Sequence, residues 1–262
     1  MMQASAHATQ TVGLTPRLSI IVATWNAART LQRCLDSIRD QSFGDWEVLV
    51  SDGASTDATV ELIRRNESMI TWWRSEKDAG IYDAWNQALD HARGEYVCFL
   101  GADDAWISPD SLQRLFSAIG GGEFDLVTSR GLAFDTGRGK SFEFGEAWDY
   151  RRIGRRMVVC HPGMLHRREL FERYGKFDAG YRIAGDLEFL LRMPEDIRTL
   201  HINEASVRVE VAGVSRMNVL PRLREQRTAL SRCKRYGPLR AYIAWIDKLW
   251  RYPIAKLFDI SH

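Results

Sequence analysis

The residues best suited to chemistry in this chain are carboxylates that follow apolar runs. Tyr96-Val97-Cys98-Phe99-Leu100 is a short aromatic and β-branched run with Gly94 before it and Gly101 after it. Such a run reads as a strand buried on both faces. It stops at Asp103-Asp104, which puts two carboxylates at the edge where open α/β sheets bind ligands. Repulsion and desolvation oppose that placement unless a cation relieves it. Hard oxygen ligands facing a diphosphate suit Mg2+ or Mn2+, although two acids after a strand are also ordinary loop chemistry. Asp52 ends a second apolar run, and Asp186 stands at the start of a helical pattern, where a plain N-cap would need no function. His161 follows the run Met157-Val-Val-Cys160; a histidine there is more often a satisfied core residue than a ligand.

The elements that position these groups follow from periodicity. Leu18-Ser-Ile-Ile-Val-Ala-Thr24 predicts a buried strand that turns at Trp25-Asn26 into a helix with Leu31, Cys34, Leu35 and Ile38 on one face. Trp46–Asp52 predicts the next strand. The turn Asp52-Gly-Ala-Ser-Thr-Asp57 then leads to a helix carrying Val60 and Ile63, with Gly53 easing the turn and Ser55, Thr56 or Asp57 as cap. A third strand is expected over Met69–Glu76. A helix follows over residues 80–92, with Ile81, Trp85, Ala88, Leu89 and Ala92 as its inward stripe. Tyr82, Asp83 and Asn86 share its other face, as a solvated surface or as contacts to a sugar or phosphate. Ser108 as N-cap with Pro109 at the first helical position opens a helix that buries Leu112, Leu115, Phe116 and Ile119. Four strand-helix alternations within about 120 residues imply a largely parallel, doubly wound sheet. Neither a Gly-x-Gly-x-x-Gly fingerprint nor a P-loop is present, which excludes the usual dinucleotide and triphosphate cradles.

Beyond residue 120 the pattern changes. Phe124–Arg130 reads as a strand, and Leu132–Phe134 and Ser141–Phe144 flank the turn-rich Asp135-Thr-Gly-Arg-Gly139, predicting an antiparallel pair. Glu169–Tyr174 is a short helix stopped by Gly175, and Val207-Arg-Val-Glu-Val211 alternates as a strand. From about Arg216 the chain is helical and mixes Leu, Ile, Tyr and Trp with Arg and Lys. Eleven Lys and Arg against Glu225, Asp247 and Asp259 make residues 213–262 net +8, which leaves −6 for the rest of a 262-residue chain whose total is +2. Such a tail suits packing on the body, contact with a second subunit of a homo-oligomer, or an anionic membrane surface. Residues 1–15 are small and polar, are expected to be disordered, and contain no apolar core of a signal peptide. No apolar run approaches the ~20 residues of a spanning helix. Cys34, Cys98, Cys160 and Cys233 are far apart and read as reduced packing residues, so the cytoplasm, with peripheral contact at the inner face of its membrane, is the expected compartment.

The whole resembles the family 2 glycosyltransferases of GT-A fold, and in particular bacterial members that build surface polysaccharides. The resemblance is carried by Leu18-Ser-Ile-Ile-Val-Ala-Thr-Trp-Asn26, Ser51-Asp-Gly-Ala-Ser-Thr-Asp57, Ser75-Glu-Lys-Asp-Ala-Gly-Ile-Tyr-Asp-Ala-Trp-Asn86 and Gly101-Ala-Asp-Asp104. Weaker support comes from Cys160-His161, Gly175-Lys-Phe-Asp178 and Ala184-Gly-Asp-Leu-Glu-Phe-Leu-Leu-Arg192. It implies an α/β Rossmann-like sheet, mostly parallel, with helices on both faces and a C-terminal helical extension. The catalytic domain would span 16–214, divided into a nucleotide-sugar half (16–120) and an acceptor half (121–214), with a basic amphipathic tail over 215–262.

The resemblance also implies roles. Asp52 would contact the nucleobase, Thr24, Asn26 and Asp78 would line the nucleotide pocket with Asp83 and Asn86, and Asp103 would reach the ribose. Asp104, with His161 as a further contact to metal or phosphate, would hold Mn2+ or Mg2+ on the diphosphate, and Asp186 would be the general base of an inverting transfer. The donor would be a nucleotide-diphosphate sugar, a UDP-sugar ahead of a GDP- or dTDP-sugar, and the acceptor a glycan or lipid-linked hydroxyl. Two departures stand out: Ala-Asp-Asp replaces the Asp-x-Asp of many relatives, and Val211-Ala-Gly213 has one Gly where relatives often have two.

A non-catalytic nucleotide-sugar binding or assembly protein is the competing reading from another class. A sugar-phosphate nucleotidyltransferase ranks behind it, because Ala23-Thr-Trp-Asn-Ala-Ala28 lacks the Gly-rich basic loop a triphosphate needs. Nucleic acid is not an expected partner, since the basic residues gather in an apolar tail.

Overall fold

The computed structural model of the protein describes residues 15–135, 139–154, 156–210 and 219–246. The N-terminal stretch 1–14, the tip of the predicted 135–139 turn, Arg155, the Val211-Ala-Gly213 turn and the tail beyond Ile246 lie outside the described residues.

Nine strands form one sheet: β1 (Leu18–Thr24), β2 (Trp46–Asp52), β3 (Trp72–Ser75), β4 (Tyr96–Gly101), β5 (Ala105–Trp106), β6 (Leu126–Asp135), β7 (Lys140–Phe144), β8 (Leu165–Arg167) and β9 (Thr199–Glu210). Their order is β3-β2-β1-β4-β8-β6-β9-β5, with β7 hydrogen-bonded to β6. The first four are parallel, β8 inverts the direction on both its sides, and β9 returns parallel to β6. The expected antiparallel pair is present as β6 and β7, in a register that sets Ala133 beside Phe142.

Helices cover both faces because β1 and β4 are apolar on both. Leu18, Ile20, Val22, Cys98 and Leu100 point to one side. There they meet Leu31, Cys34, Leu35 and Ile38 of α1 (Leu31–Arg39), Ile63 of α2 (Thr59–Arg65) and Leu112, Leu115, Phe116 and Ile119 of α4 (Ser111–Ile119). Ile21, Val97 and Phe99 point to the other side. They meet α3 (Ile81–Leu89), α5 (Glu169–Tyr174), α6 (Gly185–Leu191) and α7 (Val219–Arg232), the last through Ala229 and Leu230. A further helical stretch covers 237–246. All four cysteines are free and three are buried.

Three expectations shift. The strand predicted over 69–76 is four residues long, because Glu67–Met69 closes a 3-10 turn first. Helix α4 starts at Ser111 rather than at Pro109: Ser108 and Ser111 bond each other across a preceding turn, the Ser111 N–H donating to the Ser108 carbonyl at 3.1 Å. In α3 the inward stripe is Tyr82, Ala84, Trp85, Ala88 and Leu89, while Ile81 is exposed. Tyr82 therefore leaves the solvated face read from the sequence. The aromatic ring buries more apolar area than Ile81 would, and its hydroxyl finds a partner described below.

Candidate active site

Register alone lines up the carboxyl ends of the parallel strands. Asp52 stands beside Thr24 on one side and Ser75 on the other, and Gly101 stands beside Ala23. The groups that leave β1, β2 and β4 therefore emerge on one edge, the ligand edge of open α/β folds.

Asp52 is buried there as the keystone of its turn. Its carboxylate accepts from the Ser55 N–H at 2.9 Å, from the Ser75 hydroxyl at 2.6 Å and from the Ser55 hydroxyl. Asn26, at φ 48°, is the left-handed pivot of the β1–α1 turn, and its side chain accepts from the Thr56 N–H at 2.9 Å. The two turns are thus sewn together, and they leave Trp25 69 % exposed on the edge. Thr24 is buried, and its Oγ1 has no hydrogen-bond partner among the described residues. A buried hydroxyl without a partner costs free energy that a ligand can recover.

Asp78 closes over this turn: a Cβ on Gly53 would come within 2.8 Å of its Oδ2. Burial raises its carboxyl above the usual range, and Asp83 and Asp52 add to the rise. Asp83 accepts from the Ala79 N–H at 2.9 Å and so fastens the start of α3. Asn86 uses both ends of its amide on the backbone of Phe177, donating at 2.8 Å and accepting at 3.1 Å. It clamps α3 to the second half of the chain.

Asp103 and Asp104 converge over Gly101, where a Cβ would lie 2.7 Å from Asp103 Oδ1 and 3.1 Å from Asp104 Oδ2. The bare α-carbon is what allows two carboxylates so close to the strand end. Burial, then the neighbouring Asp103, push the Asp104 carboxyl up to about 8, against the Gly101 N–H donated to it at 2.8 Å. Burial raises Asp103 as well. Glu210, at the end of β9, adds repulsion to both. Arg33 from α1 spans the cluster, donating to the Asp103 carbonyl at 2.6 Å and pairing with Glu210 at 3.3 Å, and Arg208 pairs with Glu210 at 3.1 Å.

A divalent cation fits this donor set, because burial and repulsion from neighbouring acids raise both carboxyls and a positive charge would relieve them. Among the described residues no three His, Cys, Asp or Glu side chains form a metal cage. A cation here would take one or two protein ligands, as Mg2+ and Mn2+ do with a diphosphate. His161 is buried, its Nε2 has no partner among the described residues, and burial pushes it down to about 4, so it is neutral. Its ring stacks on Trp85 at 5.5 Å and lies 5.2 Å from His166.

Asp186 is the second residue of α6, as its sequence position suggested, and it does more than cap. Its Oδ1 accepts from the Leu187 N–H at 2.8 Å and from the Tyr82 hydroxyl at 3.2 Å. Burial raises its carboxyl to about 6, against those two donors, and Glu225 adds to the rise. Beside it, Arg182 lies over Gly80, where a Cβ would meet its Nη1 at 2.9 Å, and acts on Asp78. Asp78, Arg182, Tyr82 and Asp186 thus make a continuous path from the Asp52 turn to α6.

Sequence reasoning passed over Glu210, Arg33, Arg182 and Glu225. The alternation Val207-Arg-Val-Glu-Val placed Arg208 and Glu210 on one strand face, which was a usable signal. Arg33, Arg182 and Glu225 carry none, because their contacts are set by packing between distant elements.

The comparisons with known proteins identify the family. The family model described as Glycosyl transferase family 2 matches residues 19–175, and the chain belongs to that family. A PGL/p-HBAD biosynthesis glycosyltransferase of Mycobacterium bovis (strain BCG / Pasteur 1173P2) is 35 % identical over 210 residues, covering 76 % of this chain and 79 % of the relative. The putative glycosyltransferase EpsH of Bacillus subtilis (strain 168) is 28 % identical over 139 residues, 52 % of this chain and 40 % of its own length. Among solved structures, S. aureus TarS 1-349 in complex with UDP-GlcNAc superposes with a TM-score of 0.68 at 20 % identity, covering 89 % of this chain and 71 % of that one. The mannosyltransferase PcManGT from Pyrobaculum calidifontis, in complex with GDP-Man and Mn2+, superposes at 0.64 with 22 % identity, covering 89 % and 70 %. These structures share the GT-A fold, and the chain is a glycosyltransferase.

Proposed function

We propose that the protein is an inverting, metal-dependent glycosyltransferase that moves a sugar from a nucleotide-diphosphate donor to a hydroxyl of a glycan or lipid-linked acceptor. The observation that carries the reading is the convergence on one sheet edge of the turn formed by Thr24, Trp25, Asp52 and Asp78 with a diacid whose carboxyls burial and repulsion raise (Asp103, Asp104). In this reading Trp25 stacks on the nucleobase, Thr24 and Asp52 line its pocket, and Asp103 meets the ribose. Asn26, Asp83 and Asn86 hold the turns that do so. Asp104 would hold a divalent cation, Mn2+ or Mg2+, with His161 as the remaining candidate protein donor; bound there, the ion would supply positive charge to the diphosphate. Arg182 is a cation that the same diphosphate would meet.

Asp186 takes the proton of the acceptor hydroxyl as its oxygen bonds to the anomeric carbon. The bond from that carbon to the diphosphate breaks, and the diphosphate keeps the electron pair. One displacement inverts the anomeric centre. A carboxyl raised to about 6 is a stronger base than an ordinary aspartate and is still ionised at neutral pH.

The name of the mycobacterial relative, a PGL/p-HBAD biosynthesis enzyme, favours a lipid-linked or glycolipid acceptor. The donor in this reading is a UDP-sugar ahead of a GDP- or dTDP-sugar; that the two structural neighbours hold UDP-GlcNAc and GDP-Man supports a nucleotide-sugar. Residues 16–120 would serve the donor and 121–214 the acceptor. No helix among the described residues is long and apolar enough to cross a membrane. The exposed Leu239, Tyr242, Ile243 and Ile246 in a basic tail support peripheral contact with an anionic membrane, at the cytoplasmic face.

Thermal unfolding with UDP, GDP and dTDP, each with and without Mn2+ or Mg2+, tests the donor site. A ligand at 100 times its Kd stabilises by about 2.7 kcal/mol, so one nucleotide should raise the midpoint in a metal-dependent way and lose that effect in Asp104→Ala. No shift with any nucleotide in the wild type would overturn the reading.

A further inference from the structure

The C-terminal helix contributes a charged group to the catalytic half as well as packing area. Helix α7 buries Leu223, Ala229 and Leu230. Between them Glu225 points a carboxylate at three consecutive backbone N–H groups. Arg182 donates to its Oε1 at 3.0 Å, and Ile183 and Ala184 donate to its Oε2 at 2.8 and 2.9 Å. These N–H groups lie just ahead of α6, where no intrahelical acceptor exists for them. Two residues on, the Asp186 side chain accepts from the Tyr82 hydroxyl of α3. The segment 182–186 is therefore tied both to Tyr82, 104 residues before Asp186, and to Glu225, 43 residues after Arg182. A second tie from the same helix, Arg232 to Asp178 at 3.1 Å, is exposed and does not touch the segment.

We propose that Glu225 is a positioning residue for Asp186: its carboxylate fixes the Arg182–Ala184 backbone and thereby holds Asp186 against the Tyr82 hydroxyl. The catalytic domain accordingly ends within α7 and not at residue 214. This rests on the reading of Asp186 as the general base. Three N–H acceptances by one carboxylate form a charge-assisted cluster, and only a full carboxylate offers both oxygens for it. Tyr82 from α3 and Glu225 from α7 are the ionisable groups that act on Asp186 from the elements packed against it, the first favouring its charged form by hydrogen bonding and the second opposing it by charge.

The test uses the full chain and compares wild type, Glu225→Gln, Arg232→Ala and Asp186→Asn. Selective 13C labelling of aspartate, with Asp186→Asn to assign the signal, follows the titration of the Asp186 carboxyl. Hydrogen exchange of the peptide spanning 181–191 reports the backbone. In Glu225→Gln the backbone tie is weakened, so exchange over 181–191 should rise about tenfold and turnover should fall. The Asp186 midpoint feels both the loss of an opposing charge, which lowers it, and a looser Tyr82 contact, which raises it. Arg232→Ala should leave that exchange near its wild-type value, which separates positioning from general loosening of α7. Unchanged exchange over 181–191 in Glu225→Gln overturns the proposal, whatever the midpoint does. Turnover, read as nucleoside diphosphate released from UDP-GlcNAc or GDP-mannose, addresses the base separately. If Asp186→Asn keeps wild-type turnover, the base reading fails while the measured coupling of Glu225 to residue 186 stands. If Asp186→Asn is inactive and Glu225→Gln moves neither exchange nor turnover, the base stands and the positioning role fails.

Discussion

Asp186 and Tyr82 make opposing demands on one proton, and both can be measured. The folded carboxyl is raised to about 6 from 3.8, so the fold favours its neutral form. The stability associated with that form is complete below about pH 4 and is lost as pH rises towards 6 and beyond. Asp186→Asn mimics the neutral form and keeps an oxygen for both of its donors. At pH 7.5 it should be more stable than the wild type by about 1–2 kcal/mol in denaturant unfolding, after allowing for partial solvent screening, and equal to it near pH 4, while turnover falls at least ~10²-fold. The pH dependence of kcat/KM should show an acid limb near 6 from the same group. Tyr82→Phe removes a hydrogen bond to the carboxylate and should move that limb upward; a limb unmoved in the variant would mean that another group sets it. Trp25 offers a cleaner separation of binding from folding. It is 69 % exposed, so Trp25→Ala should change stability by less than about 0.5 kcal/mol. It should weaken nucleotide affinity by about 1–3 kcal/mol, or roughly 5- to 150-fold, if the indole stacks on the base.

At the scale of elements, glycines mark where strands and helices approach too closely for a side chain. A Cβ on Gly185 would meet three carbons of the Tyr82 ring at 2.8, 2.8 and 2.9 Å, and a ring in a packed core cannot yield as a flexible chain end would. Gly185→Ala should cost about 1–3 kcal/mol in chemical unfolding, whereas Gly44→Ala, with nothing within 4 Å, should be neutral or stabilising. Equal costs at the two sites would mean that α6 shifts freely relative to α3. The same contact explains why α6 could be read from sequence as a helix but not as a partner of α3. The pattern Leu187, Leu190, Leu191 gives one apolar face, and the amide clamp of Asn86 on Phe177 and the Tyr82 hydroxyl then decide what that face meets.

Across the whole molecule, the division between a weakly acidic body and a basic tail survives folding only in part. Helix α7 belongs to the body through Leu223, Ala229, Leu230 and Glu225, whereas 237–246 turns Leu239, Tyr242, Ile243 and Ile246 outward. Replacing those four by serine should abolish co-sedimentation with vesicles rich in anionic lipid and leave the nucleotide-induced rise in unfolding midpoint unchanged. Full sedimentation of the variant would assign that face to another role. Truncation intended to remove membrane contact belongs after Tyr236, since a cut ahead of α7 also removes Glu225.

Periodicity in the sequence was enough to determine the strand-helix alternation, the two-faced burial of β1 and β4, and the emergence of Asp52, Asp103 and Asp104 at strand ends. These follow from local rules, period 2 or 3.6 and the hydrophobicity of the run, that act within a few residues. The motifs spaced along 18–104 carried the resemblance to the family, which periodicity alone does not supply. What the tertiary structure alone decided is who meets whom across long separations. Tyr82 turned inward although its helix offered it either face, Asn86 became a clamp, Glu210 joined the diacid, and Glu225 reached back some 40 residues to the segment before Asp186. Each of these contacts is a single polar pairing that gains its energy only once the surrounding apolar core has excluded water, and no spacing within one element encodes it.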